Sequence, residues 1–412
     1  MLLTDNAARR TPRRLTKVLN HADARQQARK ALPRAIFDYV DGGAEEEVTL
    51  RRNGDDLAAL ALAARGGQWV ADPKLRTTCL GMELDFPVLT APCGAMRLVH
   101  PEGDLGVARA AATAGIGYIA TSASGYSLER IAQEPGQKWF QAYKFSSEEA
   151  MHSLVLRARA AGFGGLVATM DTAVAGNREK DFRNGFNYDM RIDLSNAVRM
   201  APQMLPRLRW VAGYALDGMP FELPNTADLT VDGKPMNLTE MTNSGRESHS
   251  PTWEDIAWMR RTWQGPLVLK GILSVRDARR ALELGADGIV VSNHGGRQLD
   301  GAPSSISMLP QIVDAVGDRM EVLLDSGIRR GSDVLKARAL GAKAVLVGRL
   351  PAYGLAIAGE QGVSHVLKVL RSELVRTMRL LGCPSVDELD SGWLSDPRTH
   401  RTQPALAESE ER

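Results

Sequence analysis

His294 and Arg297 stand three residues apart across the pair Gly295-Gly296, within the stretch GIVVSNHGGRQLD that runs from Gly288 to Asp300. An imidazole can move a proton near neutral pH, and a guanidinium can hold a carboxylate or phosphate in a two-pronged grip. The apolar run Ile289–Val291 reads as a buried strand, so both groups sit where a strand opens into a loop. The two glycines permit backbone angles that other residues avoid. A histidine that only caps the turn fits this stretch equally well.

Further chemistry-bearing residues follow the same pattern. Lys270 closes the apolar run LVLK. A lysine so placed needs an anionic partner; it could stabilise a reduced, negatively charged cofactor ring or form a Schiff base. The stretch LDSGIRRGS, from Leu324 to Ser332, and the later VGR, from Val347 to Arg349, read as two halves of a phosphate cradle. Backbone N–H groups at Gly327 and Gly348, with Arg329 and Arg349, would hold a dianion.

These groups need a scaffold that delivers them to one place. The hydrophobic pattern predicts strands over Phe86–Pro92, Tyr118–Ser122, Trp139–Tyr143, Leu166–Asp171, Pro266–Gly271, Gly288–His294, Glu321–Asp325 and Ala344–Gly348. Helical segments alternate with them, up to Val363–Leu381. Eight strand–helix units over roughly 300 residues fit an α/β fold of the (β/α)8 barrel type, the TIM barrel. A doubly wound open sheet is the second choice, and the first strand is followed by no GxGxxG fingerprint. In such a barrel the site lies at the C-terminal ends of the strands, and nearly every end here carries a polar group or a glycine. They supply Cys93 and Gly94; Thr121 and Ser122; Gln141 and Tyr143; Thr169 and Asp171; Lys270; Ser292 and His294; Asp325 and Gly327; and Gly348 and Arg349.

Three domain-level segments are expected. Residues 1–31 form a basic arm with a helix near His21–Ala31, residues 32–392 form the barrel with N-terminal helices, and residues 393–412 form a disordered tail. A further short helix is expected around Glu45–Asn53. Residues 185–250 interrupt the fourth strand–helix connection as a long irregular insertion.

Bulk properties set limits. The 412 residues are 44% hydrophobic and 24% charged, with a formal net charge of +2. No global field argues for nucleic acid. Cys79, Cys93 and Cys383 are far apart, and suggest neither a disulfide framework nor a metal site. With no apolar signal core and no run near the ~20 apolar residues of a spanning helix, a cytoplasmic address is expected.

Together the motifs resemble those of the FMN-dependent (S)-2-hydroxy acid dehydrogenases and oxidases, a family that includes glycolate oxidase and the lactate and (S)-mandelate dehydrogenases. The resemblance runs from about Leu32 to Gly382. It rests on Ser292–Asp300, Asp325–Gly331, Gly348-Arg349, Phe140–Tyr143, Asp38-Tyr39 and Gly42–Glu46. It implies FMN as cofactor and His294 as the base, with Asp171 behind it. Arg178 and Arg297 would bind the substrate carboxylate; Tyr39 and Tyr143 would hydrogen-bond the carboxylate and hydroxyl. Lys270 would stabilise the reduced flavin, which sets the Schiff base aside. Pro92, Cys93, Gly94, Thr121, Gln141, Thr169 and Ser292 would contact the flavin, and Asp325, Gly327, Arg329, Gly348 and Arg349 would hold its ribityl phosphate.

Departures from the family pattern refine the expectation. Gly94 resembles the dehydrogenases, where glycolate-type oxidases tend to have alanine, and so favours a non-oxygen acceptor such as a quinone. Ala123 stands where glycolate oxidase has tryptophan, leaving room for a larger, mandelate-like substrate. Within the insertion, Arg199–Val211 mixes cations with Met, Leu and Trp, which suits the interface of an anionic membrane. The resemblance agrees, since bacterial lactate and mandelate dehydrogenases carry a membrane-binding segment here. The chain would then sit peripherally on the inner face of the cell membrane. The resemblance also implies a homo-oligomer, a tetramer. The expected activity is FMN-dependent oxidation of a mandelate-like or lactate-like (S)-2-hydroxy acid to the 2-oxo acid, and the alternatives are an oxygen-using oxidase and an FMN barrel acting on a pathway-specific or peptide substrate.

Overall fold

The computed structural model describes residues 12, 14–144, 148–184, 201–217, 223–226, 230–231, 234–235 and 250–395. Much of the expected N-terminal arm, including Arg9, Arg10 and Arg13, lies outside the described residues, as do Arg199, Met200 and other parts of the insertion.

Eight parallel strands close into a barrel in sequence order: β1 (Val88–Thr90), β2 (Gly117–Thr121), β3 (Lys138–Ala142), β4 (Gly165–Thr169), β5 (Leu267–Ile272), β6 (Gly288–Val291), β7 (Glu321–Leu324) and β8 (Val345–Val347). Every strand brings one apolar side chain to a common interior cluster. These are Leu89, Ile119, Trp139, Val167, Val268, Val290, Leu323 and Leu346. The hairpin of Thr77–Cys79 and Met82–Leu84 adds Cys79, Met82 and Leu84 to that cluster. The alternate strand residues face outward into the larger core shared with the helices, as a period of two requires.

The ladders stop one to three residues earlier than the pattern predicts at most C-terminal ends. Strand β6 ends at Val291 rather than at His294, which turns away with φ +59°. Chain that serves the site leaves the ladder to do so.

Helices α1 (His21–Ala31), α2 (Arg34–Asp41) and α3 (Val48–Ala59) precede the barrel. Asn20 caps α1 by accepting from Asp23 N, and Ala24 and Ala28 are fully buried. Helix α3 is longer than the expected short helix, and begins after Glu47 takes a left-handed conformation at φ +58°. The helices that follow the strands are α4 (Gly103–Thr113), α5 (Leu128–Ala132), α6 (Glu148–Ala160), α7 (Trp253–Thr262), α8 (Val275–Glu283), α9 (Ser305–Val316), α10 (Gly331–Ala339) and α11 (Arg349–Leu381). Helix α11 is broken at Ala358-Gly359, so the expected Val363–Leu381 is its second half.

Two expectations are corrected. The tail does not leave the body at 393: Trp393 is buried under the Arg65 guanidinium, and Leu394-Ser395 pairs with Ala61-Leu62. The remaining 396–412 lie outside the described residues. The insertion is not wholly irregular. Residues 201–204 are helical, Leu205–Arg207 is a 3-10 turn, and Leu208–Leu216 is a helix. The 3-10 turn absorbs Pro206 between the helical pieces. Gln203 accepts from Ala35 N at 2.9 Å, Arg207 Nε donates to Leu32 O at 3.0 Å, and Trp210 Nε1 donates to Leu98 O at 3.0 Å. Among the described residues no helix is long and apolar enough to cross a membrane.

Candidate active site

The interior register of the barrel also places the site. Two residues beyond the interior cluster, each strand points the same way again. There stand Ala91, Thr121, Gln141, Thr169, Lys270, Ser292, Asp325 and Gly348. Thr121, Gln141, Thr169 and Ser292 are essentially without solvent exposure. Thr121 Oγ1 donates to Gln141 Oε1 at 2.6 Å, while Gln141 Nε2 and Thr169 Oγ1 are buried with no hydrogen-bond partner among the described residues. Such groups cost free energy unless a ligand satisfies them.

Lys270 is buried at this rim, with Nζ 3.0 Å from Asp325 Oδ2 and 3.0 Å from Ser292 Oγ. Burial alone would lower its pKa, but Asp325 and Asp171 outweigh that and raise it, so it is a fixed cation. Asp325, expected at the phosphate, lines the same cavity as Lys270, with its carboxylate at the Lys270 ammonium.

His294 Nδ1 lies 3.0 Å from Asp171 Oδ1. An ionised carboxylate can only accept a hydrogen bond, so the proton between the two sits on Nδ1 and, in the neutral imidazole, Nε2 is the acceptor. Burial would raise the Asp171 pKa, but His294 and Lys270 outweigh it and hold the carboxyl below its usual range. The left-handed His294 is braced by its own N–H to Ser292 Oγ at 3.0 Å and by Gly295 N to Ser326 Oγ at 2.9 Å.

Above this pair one cavity of about 590 Å³ collects Tyr39, Tyr143, Arg178, His294 and Arg297 with Pro92, Cys93 and Gly94. Arg297 Nη1 donates to Tyr39 O and Gly42 O, both at 2.8 Å, and its guanidinium lies 5.3 Å from the Tyr39 ring centre. Arg178 approaches the same ring from 5.8 Å, and its Nε lies 3.5 Å from Asp181 Oδ2. Tyr39 Oη donates to Gly94 O at 3.3 Å. Burial raises the pKa of both Tyr39 and Tyr143, which keeps them protonated donors. Burial also pushes the Cys93 thiol up to about 11, so it is neutral.

The same cavity continues past Gly327, Arg329, Gly348 and Arg349. Gly327 has φ +100°, and a β-carbon there would lie 2.6 Å from Asn53 O, so α3 packs directly on this turn. Arg329 lies over Gly54 of the same helix. Arg349 Nη2 donates to Gly42 O and Gly295 O, while its buried Nε has no partner among the described residues. The amides of Arg329 and Arg330 are already taken by Asp333, and that of Gly331 by Glu373. Of the residues expected at the phosphate, the side chains of Arg329 and Arg349 and the two glycine turns therefore remain.

Three positioning elements escape the sequence reading. Asn53 and Asn293 exchange amide hydrogen bonds at 2.8 and 2.7 Å, fastening α3 to the histidine loop. Gln298 lies within the Ser292–Asp300 motif, and its residue type alone assigns it no role. Its Nε2 donates to Asp171 O and Val174 O, and its Oε1 accepts from Gly176 N, joining the loop of His294 to that of Arg178. Gly271, read as a strand end, makes room for Asp171. Nothing in a single chain marks the first; a glutamine and a glycine beside candidate residues mark the other two.

The orphaned Gln141 amide and Thr169 hydroxyl share the barrel's interior register with Lys270, whose fixed cation lines the cavity together with Arg329 and the orphaned nitrogen of Arg349, and this set fits a flavin mononucleotide. Fold and site thus define a (β/α)8 barrel in which a histidine–carboxylate pair lies beneath a cavity lined by arginines and tyrosines. Residues 28–396 match the family model described as FMN-dependent dehydrogenase. An L-lactate dehydrogenase of Azorhizobium caulinodans is 41% identical over 370 residues, covering 89% of this chain and 96% of the relative. An L-lactate oxidase of Nostoc sp. is 39% identical over 385 residues, 92% of this chain and 99% of the relative. The crystal structure of a monotopic membrane protein, (S)-mandelate dehydrogenase, is similar with a TM-score of 0.84 and 38% identity, covering 92% of this chain and 99% of that one. The chain belongs to the FMN-dependent dehydrogenase family, as an FMN-dependent 2-hydroxy acid dehydrogenase.

Proposed function

We propose that this protein oxidises an (S)-2-hydroxy acid with a bulky, mandelate-like side chain to the 2-oxo acid, and passes the electrons to a quinone or similar non-oxygen acceptor at a membrane. The observation that carries the reaction is the 3.0 Å pairing of His294 with Asp171 beneath a cavity lined by Arg178, Arg297, Tyr39 and Tyr143.

FMN, when bound, supplies the two-electron acceptor. Arg178 and Arg297 hold the substrate carboxylate, and Tyr39 and Tyr143 donate to the carboxylate and hydroxyl. His294 Nε2 takes a proton from the substrate, either from the hydroxyl or from the carbon that bears it. Asp171 stabilises the imidazolium that forms. Thr121, Gln141, Thr169, Ser292, Pro92, Cys93 and Gly94 seat the flavin ring, with the Lys270 ammonium as the fixed positive charge beside it. Gly327, Arg329, Gly348 and Arg349 hold the phosphate.

A bulky side chain is supported by two small residues that face each other. A β-carbon on Gly94 would lie 3.2 Å from that of Ala123, and both residues line the cavity. Membrane contact is supported by Leu205, Leu208 and Leu216, exposed beside Arg209 on the helical part of the insertion while Trp210 anchors it. The crystal structure to which this chain is similar is that of a monotopic membrane protein. The tetramer rests on the family resemblance alone, and light scattering measures it.

The test is anaerobic flavin absorbance after adding (S)-mandelate, (S)-lactate or glycolate. Fast bleaching by mandelate, and slow or no bleaching by glycolate, is expected. Preferential bleaching by glycolate would discard the large-pocket reading. Stoichiometric peroxide release in air would replace the quinone acceptor by oxygen.

A further inference from the structure

Helix α1 closes the phosphate end of the cavity, where His21 lines the wall beside Arg329, Gly348 and Arg349. Two neighbouring polar groups are already committed. Arg25 holds Asp41 through two hydrogen bonds of 2.6 Å, and Tyr353 Oη donates to Asp41 at 2.6 Å. The His21 ring is fixed edge-on against Tyr353, with centroids 5.6 Å apart and planes at 67°. Neither of its nitrogens makes a hydrogen bond to a described residue. The charged groups around it are Arg25 on its own helix, Asp41 on α2, Arg329 on the turn after β7, and Arg349 on α11. Glu373 of α11 lies near as well, paired with Arg330 at 2.9 Å. Burial, Arg329 and Arg349 together push the His21 pKa down to about 3, so the imidazole is neutral and carries one N–H.

We infer that His21 is a ligand of the FMN phosphate from outside the barrel loops, donating its ring N–H to a phosphate oxygen. The inference rests on the phosphate lying between the Gly327 and Gly348 turns. A dianion offers more acceptor sites than two arginines and two glycine turns fill, and the His21 ring is the uncommitted donor on the facing wall. The cofactor thereby ties α1, which packs on α11, to the barrel rim.

The test compares the full-length protein with His21→Phe, which keeps a ring against Tyr353 and removes the N–H. FMN release from the holoenzyme is followed by recovered flavin fluorescence; riboflavin, which lacks the phosphate, is the second probe. The expected result is FMN affinity weaker by about tenfold, as for one hydrogen bond to a charged group, with riboflavin affinity within about twofold. His21→Ala is expected to show the same FMN-selective loss. FMN affinity unchanged in both variants, or equal loss for FMN and riboflavin, would overturn the assignment and leave His21 a packing residue. Arg329→Ala separates the two levels. If it weakens FMN while the His21 variants do not, only the His21 assignment fails. If it also leaves FMN unaffected, the phosphate placement fails and takes His21 with it.

Discussion

Gly271 faces the carboxylate of Asp171 so closely that a β-carbon on it would lie 2.5 Å from Asp171 Cγ. Its φ of +95° is one that an L side chain rarely takes. It sits at the register shift of β5 against β6, immediately after Lys270. One glycine thus lets the strand deliver Lys270 inward and leaves space for the partner of His294.

Gly271→Ala is expected to cost about 1–3 kcal/mol in stability through backbone strain. Displacement of Asp171 is expected to slow flavin reduction by about 10²-fold, as misplaced groups do. Thermal unfolding and anaerobic stopped-flow absorbance measure the two effects. Wild-type reduction in a folded variant would show that Asp171 need not stay where it is.

Asp171→Asn keeps a hydrogen-bonding group beside Nδ1 but removes the charge. Flavin reduction is expected to fall by about 10–10³-fold, within the range of general acid–base effects. The pH dependence has a definite sign. Because the folded pKa of Asp171 is lowered, its stabilising contribution is present above the ordinary carboxylate value of about 3.9. It is lost as pH falls through the lower folded value. The Asn variant is expected to lose less stability than wild type on acidification below about pH 4, as acid-unfolding curves would show.

Lys270→Met would leave Asp325 buried without its cation. Breaking such a pair costs about 3–5 kcal/mol. Lys270→Met with Asp325→Asn is expected to recover much of the thermal stability but not the rate of flavin reduction, because the positive charge beside the flavin is still missing. Full recovery of the rate in the double variant would remove Lys270 from the chemistry.

Much of this site is legible in the sequence because the strands repeat one rule. In LVLKGI the interior Val268 is followed two residues later by Lys270, and in the run from Gly288 the interior Val290 is followed by Ser292. Apolar strand plus polar end is a local pattern. The Asn53–Asn293 exchange joins groups 240 positions apart, and His21 lines the cavity only because α1 packs on α11. Such contacts depend on tertiary docking and leave no periodic trace. The insertion is hard to read for another reason: Pro202 and Pro206 argue against a helix, yet residues 201–204 are helical and a 3-10 turn accommodates Pro206.

Ala123→Leu would fill the corner shared with Gly94. The ratio of kcat/KM for (S)-mandelate to that for (S)-lactate is expected to fall by about 10–200-fold, the range that a pocket's apolar fit commands. An unchanged ratio in steady-state assays would place the substrate side chain elsewhere.

The central claim is that His294 takes the substrate proton. Anaerobic mixing of the FMN-loaded His294→Ala variant with the best substrate tests it most directly. The variant is expected to remain yellow, with FMN bound, and to reduce its flavin about 10²–10⁴-fold more slowly than wild type or below detection. Reduction at close to the wild-type rate would contradict the assignment and move the base to another residue of the cavity.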